Sequence, residues 1–309
     1  MTPRLPLRIG TRGSPLALAQ AHLVKAALTA GGRLGDGEVV IVVVSTKGDR
    51  IQDRTLAEIG GKGLFTEEIE AGLLDGGLDM AVHSMKDMPT RLPDGLEIPA
   101  VLPRADPRDA LVARGPRSIA ELPPGAVVGT ASLRREAQLR AARPDLSVVA
   151  LRGNVQTRLR KLDAGEVQAT FLAMAGLVRL GLEAEASAAL APEEMLPAVA
   201  QGAIGIECRA GDLAARELLA RIDHAPTMTA ITAERAFLAE LDGSCRTPIA
   251  ALAEISGSEL RLRGLVARPD GSAVERIERR GPVSECRAIG AAAGAELRAG
   301  LPAAFLAGR

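Results

Sequence analysis

Six arginines stand where a chain of alternating strands and helices would bring its loops together: Arg12, Arg134, Arg135, Arg152, Arg158 and Arg179. Arg12 follows the first strand-like run, Arg134 and Arg135 follow a Gly-Thr turn, Arg152 and Arg158 flank Arg-Gly-Asn, and Arg179 lies beyond an apolar run at Phe171–Met174. Guanidinium forks pair bidentately with carboxylates. Helices opening at Ser14, Ser132 and Asn154 would add free N–H groups and positive dipole ends. Together they predict a ligand with several negative charges, although each arginine taken singly also reads as a solvated surface charge. In His83-Ser84-Met85-Lys86-Asp87 a strand ends beside a Pro-bounded turn. Asp87 there can act as a general acid or hold a cationic intermediate, with Ser84 and Lys86 positioning substrate; an aspartate at a strand end can equally serve to satisfy its turn. His83, within the strand, reads as a packed residue.

The three cysteines separate by periodicity. Cys208 alternates with Ile204 and Ile206, and Cys286 shares a helical face with Ile289, Ala293 and Leu297, so both read as core thiols. Cys245, in Asp-Gly-Ser-Cys-Arg-Thr-Pro, obeys neither period and reads as accessible, with Arg246 beside it to favour thiolate. A nucleophile without an obvious histidine partner, a structural thiol and an attachment point for a prosthetic group all remain open. Three cysteines with three histidines fit no zinc spacing, so no metal site is expected.

The elements that must position these residues read as α/β. Leu5–Ile9 predicts a strand, a helix starts at Pro15, and Val39–Val44 predicts a buried strand. Phe65, Ile69 and Leu73 mark a helix, Leu78–His83 a strand, and the glycine-rich span between Ser45 and Gly63 a mobile loop. The grammar repeats: strand Ala126–Val128, helix from Ser132, strand Val148–Leu151, helix Asn154–Leu162. Two similar lobes facing a shared cleft are therefore expected, with Pro-rich joints at 102–107 and 196–197 as hinges. From about residue 222 a helix at Thr227–Leu241, three short strands and a last helix predict a separate α+β domain.

The 309 residues carry 38 basic and 38 acidic side chains, so no global charge favours nucleic acid. No run approaches the roughly 20 apolar residues of a membrane span, and the start of the chain has no signal-type apolar run; a cytoplasmic protein is expected. With four Phe and neither Trp nor Tyr, the core must be aliphatic, and any colour would come from something bound.

Gly-Thr-Arg-Gly-Ser-Pro-Leu-Ala at 10–17, Gly-Gly-Lys-Gly-Leu-Phe at 60–65, His-Ser-Met-Lys-Asp at 83–87, Asp-Pro-Arg-Asp-Ala at 106–110, Gly-Thr-Ala-Ser-Leu-Arg-Arg at 129–135, Leu-Arg-Gly-Asn-Val at 151–155 and Gly-Ser-Cys at 243–245 occur in order. On these motifs the chain resembles the hydroxymethylbilane synthases, also called porphobilinogen deaminases. The resemblance implies a dipyrromethane cofactor joined by thioether to Cys245, which primes head-to-tail addition of four porphobilinogen units with loss of ammonia, before hydroxymethylbilane is released by hydrolysis. It implies that Asp87 contacts pyrrole N–H groups and assists departure of the amine. Acetate and propionate binding would fall to Arg12, Ser14, Lys86, Thr130, Ser132, Arg134, Arg135, Arg152, Arg158 and Arg179, and a loop holding Lys62 and Phe65 would cover the cleft.

The implied architecture is two periplasmic-binding-protein-like lobes of type II kind, 1–102 with 203–221 and 103–202, plus a C-terminal α+β domain, 222–309, carrying the cysteine. A cytoplasmic monomer with no nucleic-acid or membrane partner is expected. Some relatives have lysine in place of Glu58 and serine in place of Ala131, which removes a basic contact and a hydroxyl. A non-catalytic two-lobed binding protein would need no loaded Cys245, and a thiol hydrolase or transferase would lose activity to a thiol reagent at that residue.

Overall fold

A computed structural model describes residues 5–30, 32, 34–50, 64–241, 247–302 and 305. The chain runs β1 (Leu7–Arg12), α1 (Pro15–Thr29), β2 (Val39–Val44), α2 (Glu67–Leu74), β3 (Met80–Ser84), a 3-10 turn at Met85–Asp87 and β4 (Leu96–Val101). It continues through β5 (Asp109–Ala113), β6 (Val127–Gly129), α3 (Leu133–Ala142), β7 (Ser147–Val149), α4 (Val155–Asp163), β8 (Ala169–Ala173), α5 (Met174–Arg179) and β9 (Ala188–Ala189). The remainder is β10 (Ile204–Arg209), α6 (Leu213–Leu219), α7 (Ala225–Glu240), β11 (Ile249–Ser256), β12 (Glu259–Ala267), β13 (Val274–Pro282) and α8 (Cys286–Gly300).

Two five-stranded sheets share one plan. The first has the order β2-β1-β3-β10-β4 and the second β7-β6-β8-β5-β9. In each, three parallel strands are followed by an antiparallel one, β10 or β5. The fourth strand in the first sheet thus comes from far down the chain. Alternate residues of β3 serve opposite layers, as a period of two requires: Met80 and Val82 pack with Leu7, Ile9, Val24 and Leu28 of the α1 side, whereas Ala81 packs with Ile69, Leu73 and Leu78 of the α2 side.

By internal contacts, β1–β4, β10 and α6 form one compact unit, and β5–β9 with most of α7 and the C-terminal elements form another. The antiparallel sheet β11-β12-β13 is a layer of its own. It nevertheless shares a core with the second lobe, because Ala250, Leu252, Leu265 and Ala267 pack against Ala137 of α3 and Leu196. Its strands of 8 and 9 residues are longer than the short strands expected.

Some sequence expectations shift. Val39–Val44 is a strand with the expected limits, but it is the sheet's edge, and Val43 is 57% exposed. A continuous β-branched run reports strand propensity and cannot tell a central strand from an edge. The first strand extends beyond Ile9 to Arg12, and α2 starts after Phe65. Cys208 is fully buried, and burial pushes its thiol up to about 12. Cys286 is only half-buried, since it opens α8 before the helix turns its face inward at Ile289.

Candidate active site

The expected site residues cluster at the C-terminal ends of parallel strands, the edge where open α/β sheets bind ligands. In the first unit, β1 ends at Arg12 and α1 begins at Pro15. Proline fits the first helical position because its missing N–H has no intrahelical partner to lose. Ser14 caps α1, its hydroxyl accepting from Ala17 N at 3.2 Å. The Arg12 guanidinium lies 4.0 Å from the centroid of the Phe65 ring, so two residues expected in the site are in cation–π contact. Lys86 is half-buried and Asp87 exposed on the turn that ends β3. Just before it, Ser84 exchanges hydrogen bonds with the buried Gln20 of α1, at 2.9 and 3.1 Å.

In the second unit, β6 ends at Gly129 and delivers Thr130, buried, whose Oγ1 accepts from Ser132 N at 3.1 Å. Ser132 occupies the cap position of α3 but its own side chain makes no capping bond. The cap expected from Ser132 is thus not formed, and the Thr130 hydroxyl binds the N–H of the cap residue itself rather than one of the first N–H groups of the helix. Asn154 caps α4, accepting from Thr157 N at 2.9 Å. Between Arg152 and Asn154 the chain turns at Gly153 with φ +114°, a conformation a side chain would strain.

Arg134 and Arg135 depart from the picture of free forks. Both are buried, and both face Asp109, which is fully enclosed at the start of β5. Arg134 Nη1 donates to Asp109 Oδ2 at 2.7 Å and to Leu196 O at 2.8 Å. Arg135 Nη2 and Nε donate to Asp109 Oδ1 at 2.7 and 3.1 Å, and its Nη1 to Phe171 O at 2.7 Å. Gln201 Nε2 adds a further bond to the same oxygen at 3.0 Å. Burial alone would raise the Asp109 pKa, but the two guanidiniums outweigh it and hold the carboxyl well below its ordinary range. Much of the donor capacity of Arg134 and Arg135 is therefore already committed.

Arg152, Arg158 and Arg179 differ, having no carboxylate partner among the described residues. Arg152 Nη1 is buried with no hydrogen-bond partner among the described residues. Arg158 Nε donates to Gly153 O at 2.9 Å, and the group is pushed down to about 10 by burial and then by the like charges of Arg135 and Arg152. Arg179, pushed down to about 10 by burial, donates from Nη2 to Gly202 O at 2.5 Å. Clustered cations with an orphaned donor cost free energy unless an anion supplies acceptors. The residues of this unit thus fit a group carrying several carboxylates.

Sequence reasoning missed Asp109 and Gln201. The signal for Asp109 was present, as an aspartate opening an otherwise apolar strand, Asp-Ala-Leu-Val-Ala, must be paired if that strand is buried. Gln201 gave no signal, because its partners are 94 and 92 residues distant. Lys62, Cys245 and Glu58 lie outside the described residues.

The family model described as porphobilinogen deaminase, dipyromethane cofactor binding domain, matches residues 7–217. The porphobilinogen deaminase C-terminal domain matches residues 228–299. The chain belongs to the porphobilinogen deaminase family. A curated porphobilinogen deaminase of Paracoccus denitrificans (strain Pd 1222) is 58% identical over 303 residues, covering 98% of this chain and 97% of the relative. Among solved structures, a periplasmic substrate-binding protein of an ABC transporter from Coxiella burnetii aligns with TM-score 0.43 at 16% identity, over 74% of this chain and 96% of that one. Immunogenic lipoprotein A from Vibrio vulnificus aligns with TM-score 0.43 at 15% identity, over 74% and 99%. As a porphobilinogen deaminase family member, the chain carries the family's dipyromethane cofactor binding domain and its C-terminal domain, and its described residues form two five-stranded α/β sheets of one plan and a separate three-stranded antiparallel sheet.

Proposed function

We propose that this enzyme, a hydroxymethylbilane synthase, holds its dipyrromethane through Cys245 and that Arg12, Ser14, Lys86, Arg152, Arg158 and Arg179 bind the carboxylates of primer and growing chain. The observation that carries this reading is the set of half-buried arginines without carboxylate partners among the described residues, beside the orphaned Arg152 Nη1. When bound, the cofactor supplies a pyrrole α-carbon that joins the next porphobilinogen unit. Asp87, exposed at the end of β3, accepts from the pyrrole N–H and stabilises the positive charge left as the amine departs. The Ser14 cap leaves the first N–H groups of α1 facing anions, and Ser132, whose hydroxyl makes no capping bond, is free to donate. Arg134 and Arg135 act from a fixed frame, because Asp109 locks both guanidiniums before ligand arrives. Phe65 stacked on Arg12 shields one face of that guanidinium from water.

The enzyme acts as a cytoplasmic monomer in this reading, which cell fractionation and sedimentation test. The intact mass of the purified protein, with peptide mapping of residue 245 and a Cys245→Ala control, tests the attachment. Two linked pyrrole units on Cys245 are expected. A thiol still unmodified after incubation with porphobilinogen would refute the reading.

A further inference from the structure

The α2 side of the first sheet holds three ionisable groups with no part in the site so far. In the antiparallel pairing of β3 with β10, His83 stands opposite Gly205 and Glu207 opposite Ala81. The two side chains are thus diagonal neighbours on one face. His83 Nε2 and Glu207 Oε2 are 2.9 Å apart, and the side chains are 5% and 0% exposed. Glu70, from α2, is 6% exposed. Glu207 Oε1 and Glu70 Oε1 are both buried with no hydrogen-bond partner among the described residues.

Two ionised carboxylates beside a neutral imidazole would bury a double negative charge, which the interior does not tolerate without partners. Burial raises the Glu70 pKa more than the nearby Thr66 hydroxyl lowers it; the charge of Glu207 raises it further, His83 opposes the rise, and Glu67 of the same helix adds to it. Further along β10, Arg209 does not relieve the cluster, since its guanidinium donates to Leu73 O, Leu78 O and Asp212. On β1, Arg12 is stacked on Phe65. Glu97 of β4 stands opposite Cys208, whose side chain projects to the other face of β10, and is ion-paired with Arg216.

We propose that Glu70, His83 and Glu207 form a buried proton-sharing cluster that positions the Asp87 turn for catalysis. The inference rests on the role given to Asp87 above. β3 runs from His83 through Ser84 directly into the turn that ends at Asp87, and Met85 N, inside that turn, donates to Ala203 O at the approach to β10 at 3.0 Å. The His83–Glu207 contact therefore fixes the strand pair from which the turn is hung. A proton on Glu70 keeps the second carboxyl neutral; its loss sets two anions against each other between α2 and β10, and the strain falls on α2 and on β3, which leads into the Asp87 turn. Glu70, His83 and Glu207 are positioning residues, since none touches substrate.

The test uses the loaded holoenzyme. Infrared difference spectra of wild type against Glu70→Gln at neutral pH should show a protonated carboxyl band that the variant lacks. The alkaline limb of kcat should move by about one pH unit or more in Glu70→Gln, which mimics the protonated acid. Glu207→Gln should lower kcat about tenfold with KM changed less than about twofold, as loss of positioning requires. Absence of the carboxyl band, or superimposable pH profiles for wild type and Glu70→Gln, would overturn the proposal, and both readings stand even if Glu207→Gln fails to fold. The infrared result needs no turnover, so it is distinguishable from a failure of the Asp87 assignment, which a fully active Asp87→Ala enzyme would reveal.

Discussion

Replacing Asp109 by asparagine keeps the shape of the side chain and removes one negative charge from a position that is 0% exposed. Two guanidiniums, of Arg134 and Arg135, then face a neutral amide in the same enclosure. Removing one partner of a buried ion pair costs about 3–5 kcal/mol, because the stranded charge keeps its desolvation penalty. For a unit of this size each kcal/mol lowers Tm by about 2–4 °C, so a drop of about 6–20 °C is expected. Thermal denaturation followed by circular dichroism, on loaded and unloaded protein, measures it. The folded pKa of Asp109 is depressed, so its stabilisation is present above the unfolded carboxylate pKa, about 3.9, and is lost as pH falls through the lower folded value. Wild type and variant should therefore converge in strong acid. A drop of less than about 2 °C at neutral pH would refute the claim that Asp109 is what holds the two arginines.

Asp87→Ala should cut turnover by about 100-fold or more while leaving Tm within about 2 °C, because Asp87 is exposed and has no hydrogen-bond partner among the described residues; single-turnover kinetics beside calorimetry check it. Arg158→Leu should raise the Tm of unloaded protein, by removing a half-buried cation without a carboxylate partner among the described residues, while weakening cofactor loading, measured by intact mass. A maleimide at neutral pH should leave Cys208 unlabelled in native protein, since its thiol is buried and pushed up to about 12, while Cys286 reacts; peptide mapping reads both. Gly202→Ala should destabilise, because its φ is +90° and a Cβ would come within 2.5 Å of Ala105 O; denaturant titration measures the loss.

Local chemistry made much of this protein legible without coordinates. The helix starts at Pro15 and after Asn154 could be read, because proline at the first position and an asparagine cap act within one turn. Ordered motifs identified the family, and the strand-end arginines pointed to an anionic ligand as an expectation. What a residue faces over long distances stayed hidden. Val39–Val44 reads as a strand either way, but only the order β2-β1-β3-β10-β4 makes it an edge. Arg134, Arg135, Arg152 and Arg158 carry one charge each in the sequence; the fold alone decides that the first two meet Asp109, while the others keep no carboxylate partner among the described residues. His83 and Glu207 are 124 residues apart and become a buried pair only because β10 returns to lie beside β3. Period and capping depend on neighbours a few residues away, whereas pairing and burial depend on which distant strands the sheet makes adjacent, and no local pattern encodes that adjacency.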